Sequence, residues 1–199
     1  MKRATLTLAA LALLLTGTAR AQAGFMVTLL EQNGNVVATG SGTIDTADLA
    51  FIKMTILKPG IFPSQGEIIT GVSAGTAIYI GEFTGPTSFG SGDNFFGPFP
   101  SSGDIVGIAG TSSLAVPSNY TSGDPLMDTS TYNNQTFSSL GVTPGTYVWT
   151  WGTGAHADSF TLQIGPATVP EPASLTLLGI GIASIAGYAW RRRKQQATV

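Results

Sequence analysis

The chain has 199 residues, a formal net charge of −2 and no cysteine, which excludes disulfides, thiolate zinc sites and cysteine nucleophiles. Seven of the nine basic residues lie near the two ends, so that residues 24–168 contain only Lys53 and Lys58 against ten carboxylates, a formal charge of −8. Nucleic acid is therefore excluded as a partner, because phosphates must be neutralised by clustered cations.

The first 23 residues are typical of a secretory signal peptide. Lys2 and Arg3 form a basic n-region, and residues 4–15 are an apolar h-region rich in leucine and alanine. Ala21 and Ala23 then form an A-x-A cleavage site. We expect signal peptidase to cleave after Ala23, so that the mature chain begins at Gly24.

Short apolar runs separated by turn residues predict strands in the first half of the mature chain. Residues 25–30 and 36–38 flank Asn33-Gly34, a pair that favours the type I′ turn of a β-hairpin. Further strands are predicted over 49–57 and 77–83. Alternation over 49–57 predicts two faces, one with Phe51, Lys53, Thr55 and Leu57 and the other with Ile52, Met54 and Ile56.

The segment 84–103 is rich in glycine and proline, which prevents a long regular element. It nevertheless contains four phenylalanines, at positions 89, 95, 96 and 99. So many rings are unusual in a disordered segment. We predict a structured loop whose rings cap the core, with an exposed aromatic patch as the alternative.

Two amphipathic strands, 146–151 and 158–164, predict a second hairpin, with Tyr147, Trp149 and Trp151 on one face. We expect this face to pack on a second sheet; the alternative is a sugar-stacking platform. No convincing amphipathic helix occurs outside the two ends. The sequence therefore predicts an all-β fold, a single β-sandwich-like ectodomain over residues 24–168.

No catalytic residue is predicted. His156 is the only histidine, and no G-x-S-x-G motif frames a serine that could join it and Asp158 in a triad. Glu67 and Glu82 are the only central glutamates, and neither lies in a recognisable motif. A secreted hydrolase remains a further alternative, which requires two close carboxylates or a serine–histidine–aspartate arrangement.

No cofactor is predicted, although calcium is open as a minor alternative. Several oxygen-bearing side chains occur in turns without an EF-hand or a nonapeptide repeat. They are Asp93, Asn94, Asp104, Asp124 and Asp128.

The last thirty residues contain three ordered elements. Val169, Pro170, Glu171 and Pro172 open a short motif that extends to residue 174. Residues 173–190 are uncharged and long enough, at about 27 Å as a helix, to cross a bilayer core. The basic residues that follow are expected to stop the helix on the cytoplasmic side: Arg191, Arg192, Arg193 and Lys194.

This tail, residues 169–199, resembles the PEP-CTERM sorting tail of Gram-negative bacteria. The resemblance implies recognition by an exosortase, a membrane-embedded cysteine transpeptidase or protease that cleaves near Pro170-Glu171-Pro172. It also implies delivery of the protein to the cell surface or an extracellular matrix. We therefore predict a transmembrane helix over 173–190 and a membrane stop over 191–194.

The complete prediction is an exported surface or matrix protein that has no catalytic activity of its own. It is held transiently in the cytoplasmic membrane by one helix, and its partners are signal peptidase and exosortase. The alternative is a carbohydrate-binding or adhesive module that contacts exopolysaccharide.

Overall fold

The computed structural model describes residues 24–166. The predicted signal peptide, its cleavage residues Ala21 and Ala23, and the tail with its motif, helix and basic stop lie outside this range. The strands are β1 Phe25–Gln32, β2 Asn35–Gly42, β3 Ala50–Leu57, β4 Gly60–Phe62, β5 Glu67–Thr70, β6 Ala74–Ile80, β7 Ser101–Gly103, β8 Val106–Ala109, β9 Ser113–Pro117, β10 Leu126–Tyr132, β11 Gly145–Trp151 and β12 Asp158–Ile164. One helical turn, α1 Phe137–Leu140, and two 3-10 turns, Pro63–Gln65 and Gly154–His156, complete the elements.

The strands form two six-stranded sheets, as the all-β prediction requires. The first sheet has the order β11-β12-β1-β2-β10-β7, and the second has the order β3-β6-β9-β8-β5-β4. Buried side chains from both sheets belong to one hydrophobic cluster. Within residues 24–166, no helix is long and apolar enough to span a membrane.

The first predicted hairpin is confirmed. β1 and β2 pair antiparallel from Phe25–Gly42 to Gln32–Asn35. Asn33 and Gly34 both have positive φ, at 51° and 78°, as a type I′ turn requires. The second predicted hairpin is also confirmed, with β11 and β12 paired along their whole length.

The predicted faces of β3 are wrong at Phe51. A β-bulge between Phe51 and Lys53 adds one residue to the strand, so that Phe51 pairs with Tyr79 and Met54 pairs with Ala77. Directly paired residues share a face, which moves Phe51 to the side of Met54 and Ile56. The strand predicted over 77–83 also starts earlier and ends earlier, as β6 over Ala74–Ile80.

The two ends of the domain meet inside the first sheet. β1 pairs in parallel with β12, from Phe25–Phe160 to Leu29–Ile164. The ring centroids of Phe25 and Phe160 lie 5.7 Å apart, and both side chains are buried.

A buried carboxyl group lies between the sheets. Asp128 on β10 is 3% exposed, and its Oδ2 accepts a hydrogen bond from the Thr70 hydroxyl on β5 at 2.9 Å. Within the described residues, its Oδ1 has no hydrogen-bond partner, and neither does the nearby Tyr132 hydroxyl. Burial raises the pKa of Asp128 to about 7, and the charge of Asp104 acts in the same direction.

This pKa makes stability depend on pH. The folded domain holds the Asp128 proton more tightly than the unfolded chain, whose aspartate pKa is about 4. The Asp128 contribution to stability is therefore lost as the pH rises from about 4 to about 7, at up to ~1.4 kcal/mol per pH unit. Asp128→Asn should flatten the pH dependence of the unfolding free energy in this interval, measured by denaturant titration.

Asp124→Asn is the matched control, because Asp124 is an exposed turn residue in the same segment. It should retain the wild-type slope. A slope in Asp128→Asn equal to that of the wild type would show that the buried carboxyl does not govern this dependence.

Candidate functional site

The aromatic face of β11 belongs to the core. Trp149 and Trp151 are 0% and 3% exposed. Their indole N–H groups donate to the carbonyl oxygens of Pro86 and Asp45, each at 2.8 Å. The prediction that this face packs inward is confirmed, and the alternative sugar platform on Tyr147, Trp149 and Trp151 is wrong, because a buried ring cannot stack on a sugar.

The loop phenylalanines divide between the core and the surface. Phe89 is buried, and Phe96 packs against the core. Phe95 is about half exposed and Phe99 is 79% exposed. Core capping is therefore correct for two of the four rings, and the other two form the exposed patch of the alternative.

Phe95 and Phe99 line a surface cavity of about 380 Å³, which we call the aromatic cleft. Its other lining residues are Lys58, Pro59, Val72, Ser73, Gly97, Pro98 and Ser101. The main chain fixes its wall, since Phe99 donates its N–H to Thr131 O at 2.7 Å and accepts at its carbonyl from the Asn133 side chain. The cleft is therefore apolar, aromatic and held by backbone contacts.

His156 pairs with a residue that the sequence did not single out. Its Nδ1 lies 2.9 Å from Asp45 Oδ2, and the Ser122 hydroxyl donates to Asp45 Oδ1 at 3.1 Å. This hydrogen bond raises the pKa of His156 and lowers the pKa of Asp45. The carboxylate lies between the serine and the histidine, whereas a nucleophilic triad places the histidine between the serine and the carboxylate.

Asp158 is not the histidine partner that a triad would require. Its carboxylate accepts hydrogen bonds from the backbone N–H groups of Asp45 and Ser159. The side chain is 2% exposed, and burial raises its pKa. Asp158 therefore fixes the loop that presents Asp45, and His156 is exposed at the domain surface.

The two central glutamates line different cavities. Glu67 lies with Lys53 in a cavity of about 280 Å³ on the second sheet, and burial raises its pKa. Glu82 lies with Asp48 in a groove of about 460 Å³. The Asp48 carboxylate in that groove accepts the N–H of Thr153 at 3.0 Å. Glu67 and Glu82 thus do not form the carboxylate pair of a glycosidase.

The calcium candidates do not share one turn, and Asp128 lies within strand β10. Asp93 accepts from the Ser64 hydroxyl, and Asp104 accepts from the N–H of Met127. Asn94 and Asp124 are exposed, and Asp128 is buried. In the part of the chain that the structure describes, no three histidine or acidic side chains come together to hold a metal ion. The absence of a cofactor stays a prediction, with calcium as its minor alternative.

Asp45 and Asp48 were missed at the level of sequence, whereas an exposed aromatic patch was the stated alternative for the loop phenylalanines. Asp45 and His156 are 111 positions apart, so that no local pattern relates them. Asp128 had a local signal, because Leu126, Asp128, Ser130 and Tyr132 alternate with Met127, Thr129 and Thr131. This alternation places Asp128 on an apolar face.

Comparison with known proteins finds a match in the tail. The chain matches the PEP-CTERM protein-sorting motif over residues 168–194. The match contains the whole of the predicted motif, helix and basic stop, and it starts one residue before the predicted boundary. No curated protein and no solved structure matches the chain. Residues 168–194 are therefore a PEP-CTERM protein-sorting motif, as the resemblance of the tail implied.

Proposed function

We propose that this chain is an exported, non-catalytic surface or matrix protein that an exosortase processes through its C-terminal tail. The sorting motif at residues 168–194 carries this proposal. Signal peptidase removes residues 1–23, and the helix over 173–190 holds the chain transiently in the cytoplasmic membrane. Cleavage near Pro170-Glu171-Pro172 then releases the domain to the cell surface or matrix.

The boundaries of the folded domain are compatible with both cleavages. β1 begins at Phe25 and β12 ends at Ile164. Removal of residues 1–23 and cleavage near Pro170 therefore leave every strand of both sheets in place. The product retains its full hydrophobic core, which is the main source of its stability.

The polar clusters of the domain support a non-catalytic role. In the Ser122–Asp45–His156 series, the carboxylate lies between the serine and the histidine, which is not the order of a nucleophilic triad. The Asp48 carboxylate accepts a hydrogen bond from the N–H of Thr153. These contacts tie the 42–48 segment to the loop between β11 and β12.

The role of the tail can be tested by mutation of its motif. Replacement of Pro170, Glu171 and Pro172 with alanine should leave a full-length, membrane-held protein, because the exosortase would lose its recognition motif. Intact mass and cell fractionation in the native host measure this outcome. The same accumulation is expected in a strain that lacks the exosortase.

Pro166→Ala is the matched control, since it removes a proline just outside the matched motif. It should be processed like the wild type, to a species that starts near Gly24 and ends near Pro170. Normal release of the triple variant would refute recognition through this motif.

The aromatic cleft favours a second candidate function, binding of exopolysaccharide. Phe95 and Phe99 offer rings on a wall held by main-chain hydrogen bonds, and exposed aromatic faces suit the apolar faces of sugar rings. The formal charge of −8 over residues 24–168 favours a neutral polymer.

Phe99→Ala tests whether the aromatic cleft binds exopolysaccharide. It removes the most exposed ring of the cleft and keeps both main-chain hydrogen bonds of residue 99, because neither uses the side chain. Loss of an apolar contact of this size should weaken retention on exopolysaccharide from the host at least about tenfold, measured by co-sedimentation over a range of polymer concentrations.

Met127→Ala is the control, because Met127 is similarly exposed at 69% but lies outside the cleft. It should bind like the wild type. Equal retention of Phe99→Ala and wild type would exclude the cleft as the binding surface.

A further inference from the structure

The aromatic cleft offers few polar side chains to a ligand. Three of its lining residues have polar side chains, and they are Lys58, Ser73 and Ser101. Ser101 Oγ is enclosed by the protein, which leaves Lys58 and Ser73 to bond a ligand. Among the described residues that line the cleft, none has a carboxylate or an amide side chain. Sugar hydroxyls therefore find no charged acceptor there, and the cleft is more selective than a general sugar site.

The two available groups have opposite roles in hydrogen bonding. Lys58 is exposed, and its ammonium forms no ion pair or hydrogen bond within residues 24–166. An ammonium group can only donate. The Ser73 hydroxyl donates to Leu57 O at 3.0 Å, so that its lone pairs remain for a ligand donor. Because this bond also holds Ser73 next to the residue that precedes Lys58, the cleft has a free donor and a free acceptor side by side.

The surface that borders this donor–acceptor pair is apolar. Val72 adjoins Ser73 and is 37% exposed. The Phe95 ring lies against the main chain of Gly60, where a Cβ would overlap the outer edge of the ring. Any larger residue at position 60 would therefore displace Phe95. Together with Phe99, these side chains give the cleft apolar faces next to its two polar groups.

An acetamido group matches this combination. Its carbonyl oxygen accepts a hydrogen bond, its N–H donates one, and its methyl group is apolar. An O-acetyl ester has no N–H for Ser73, and a sugar hydroxyl has no methyl group. A uronate would pair with Lys58, but the formal charge of −8 over residues 24–168 opposes an anionic polymer. Of these substituents, the acetamido group alone uses the donor, the acceptor and the apolar surface.

We propose that the aromatic cleft selects a sugar that bears an acetamido group, as one N-acetylhexosamine unit of a neutral polymer. This inference rests on the proposed binding of exopolysaccharide at the same cleft. The carbonyl oxygen accepts from the Lys58 ammonium, the N–H donates to Ser73 Oγ, and the methyl group lies on the apolar surface beside Val72. A cavity of about 380 Å³ is at the small end of ligand sites, which suits a single sugar unit.

Two neutral oligosaccharides provide the test. Chitopentaose and cellopentaose have the same β-1,4-linked backbone and differ only in an acetamido group or a hydroxyl at C2. Isothermal titration of the full-length chain, in a detergent without a sugar head group, measures both dissociation constants. Chitopentaose should bind at least about tenfold more tightly, because cellopentaose lacks the carbonyl acceptor for the ammonium and the methyl group. Equal binding of the two overturns the proposal, and so does equally tight binding of O-acetylated xylan.

Lys58→Met removes the donor and keeps an unbranched side chain. It should weaken the binding of chitopentaose at least about fivefold, the loss of one hydrogen bond from a charged donor, and leave the binding of cellopentaose unchanged. Lys53→Met is the matched control, because it removes the same charge from β3 at a position that lines a different cavity. It should leave both dissociation constants unchanged. Equal losses of chitopentaose binding in the two variants overturn the proposal.

The failure of this inference is distinguishable from the failure of exopolysaccharide binding itself. If the host polymer is still retained through Phe99 but chitopentaose does not bind, only the selection of an acetamido group is overturned. If neither the polymer nor chitopentaose binds, the cleft is excluded as a sugar site and both proposals are overturned.

Discussion

The parallel pairing of β1 with β12 is the constraint on which the rest of the domain depends. It joins the first strand of the domain to the last, and it lies inside the first sheet, between β2 and β11. Phe25, Leu29, Phe160 and Ile164 are all buried there. β1 therefore lacks one of its two neighbouring strands until β12 is available, and the first sheet cannot be completed before residue 164.

This pairing also relates folding to processing. The predicted cleavage site at Ala23 lies two residues before β1, and the sorting motif starts four residues after β12. A Cβ placed on Gly24 would lie only 2.7 Å from Ser159 Oγ, so that Gly24 already packs closely on β12. We expect signal peptidase to act while residues 21–25 are still extended, before β1 enters the sheet. Cleavage at the tail has no such requirement, since all twelve strands precede it.

The sequence predicted the elements whose signals are local. The Asn33-Gly34 turn and the alternation of Phe160, Leu162 and Ile164 each identify a hairpin by short-range geometry alone. Six strands were not predicted: β4, β5, β7, β8, β9 and β10. β4 and β7 have three residues each, which are too few for a period to show. The bulge at Ile52 could not be predicted either, because it depends on the pairing of β3 with β6 and not on the composition of β3.

The candidate sites also divide into those that have a local sequence signal and those that depend on the topology. The tail was predictable because its three elements follow one another along the chain, and the family match confirms it. The contacts of Asp45 with His156 and of Thr70 with Asp128 connect residues that are 111 and 58 positions apart, so that they depend on the topology. The exposure of Phe99 depends on the same topology, since Phe89 and Phe99 both lie in the glycine- and proline-rich loop and only the packing makes the first buried and the second exposed.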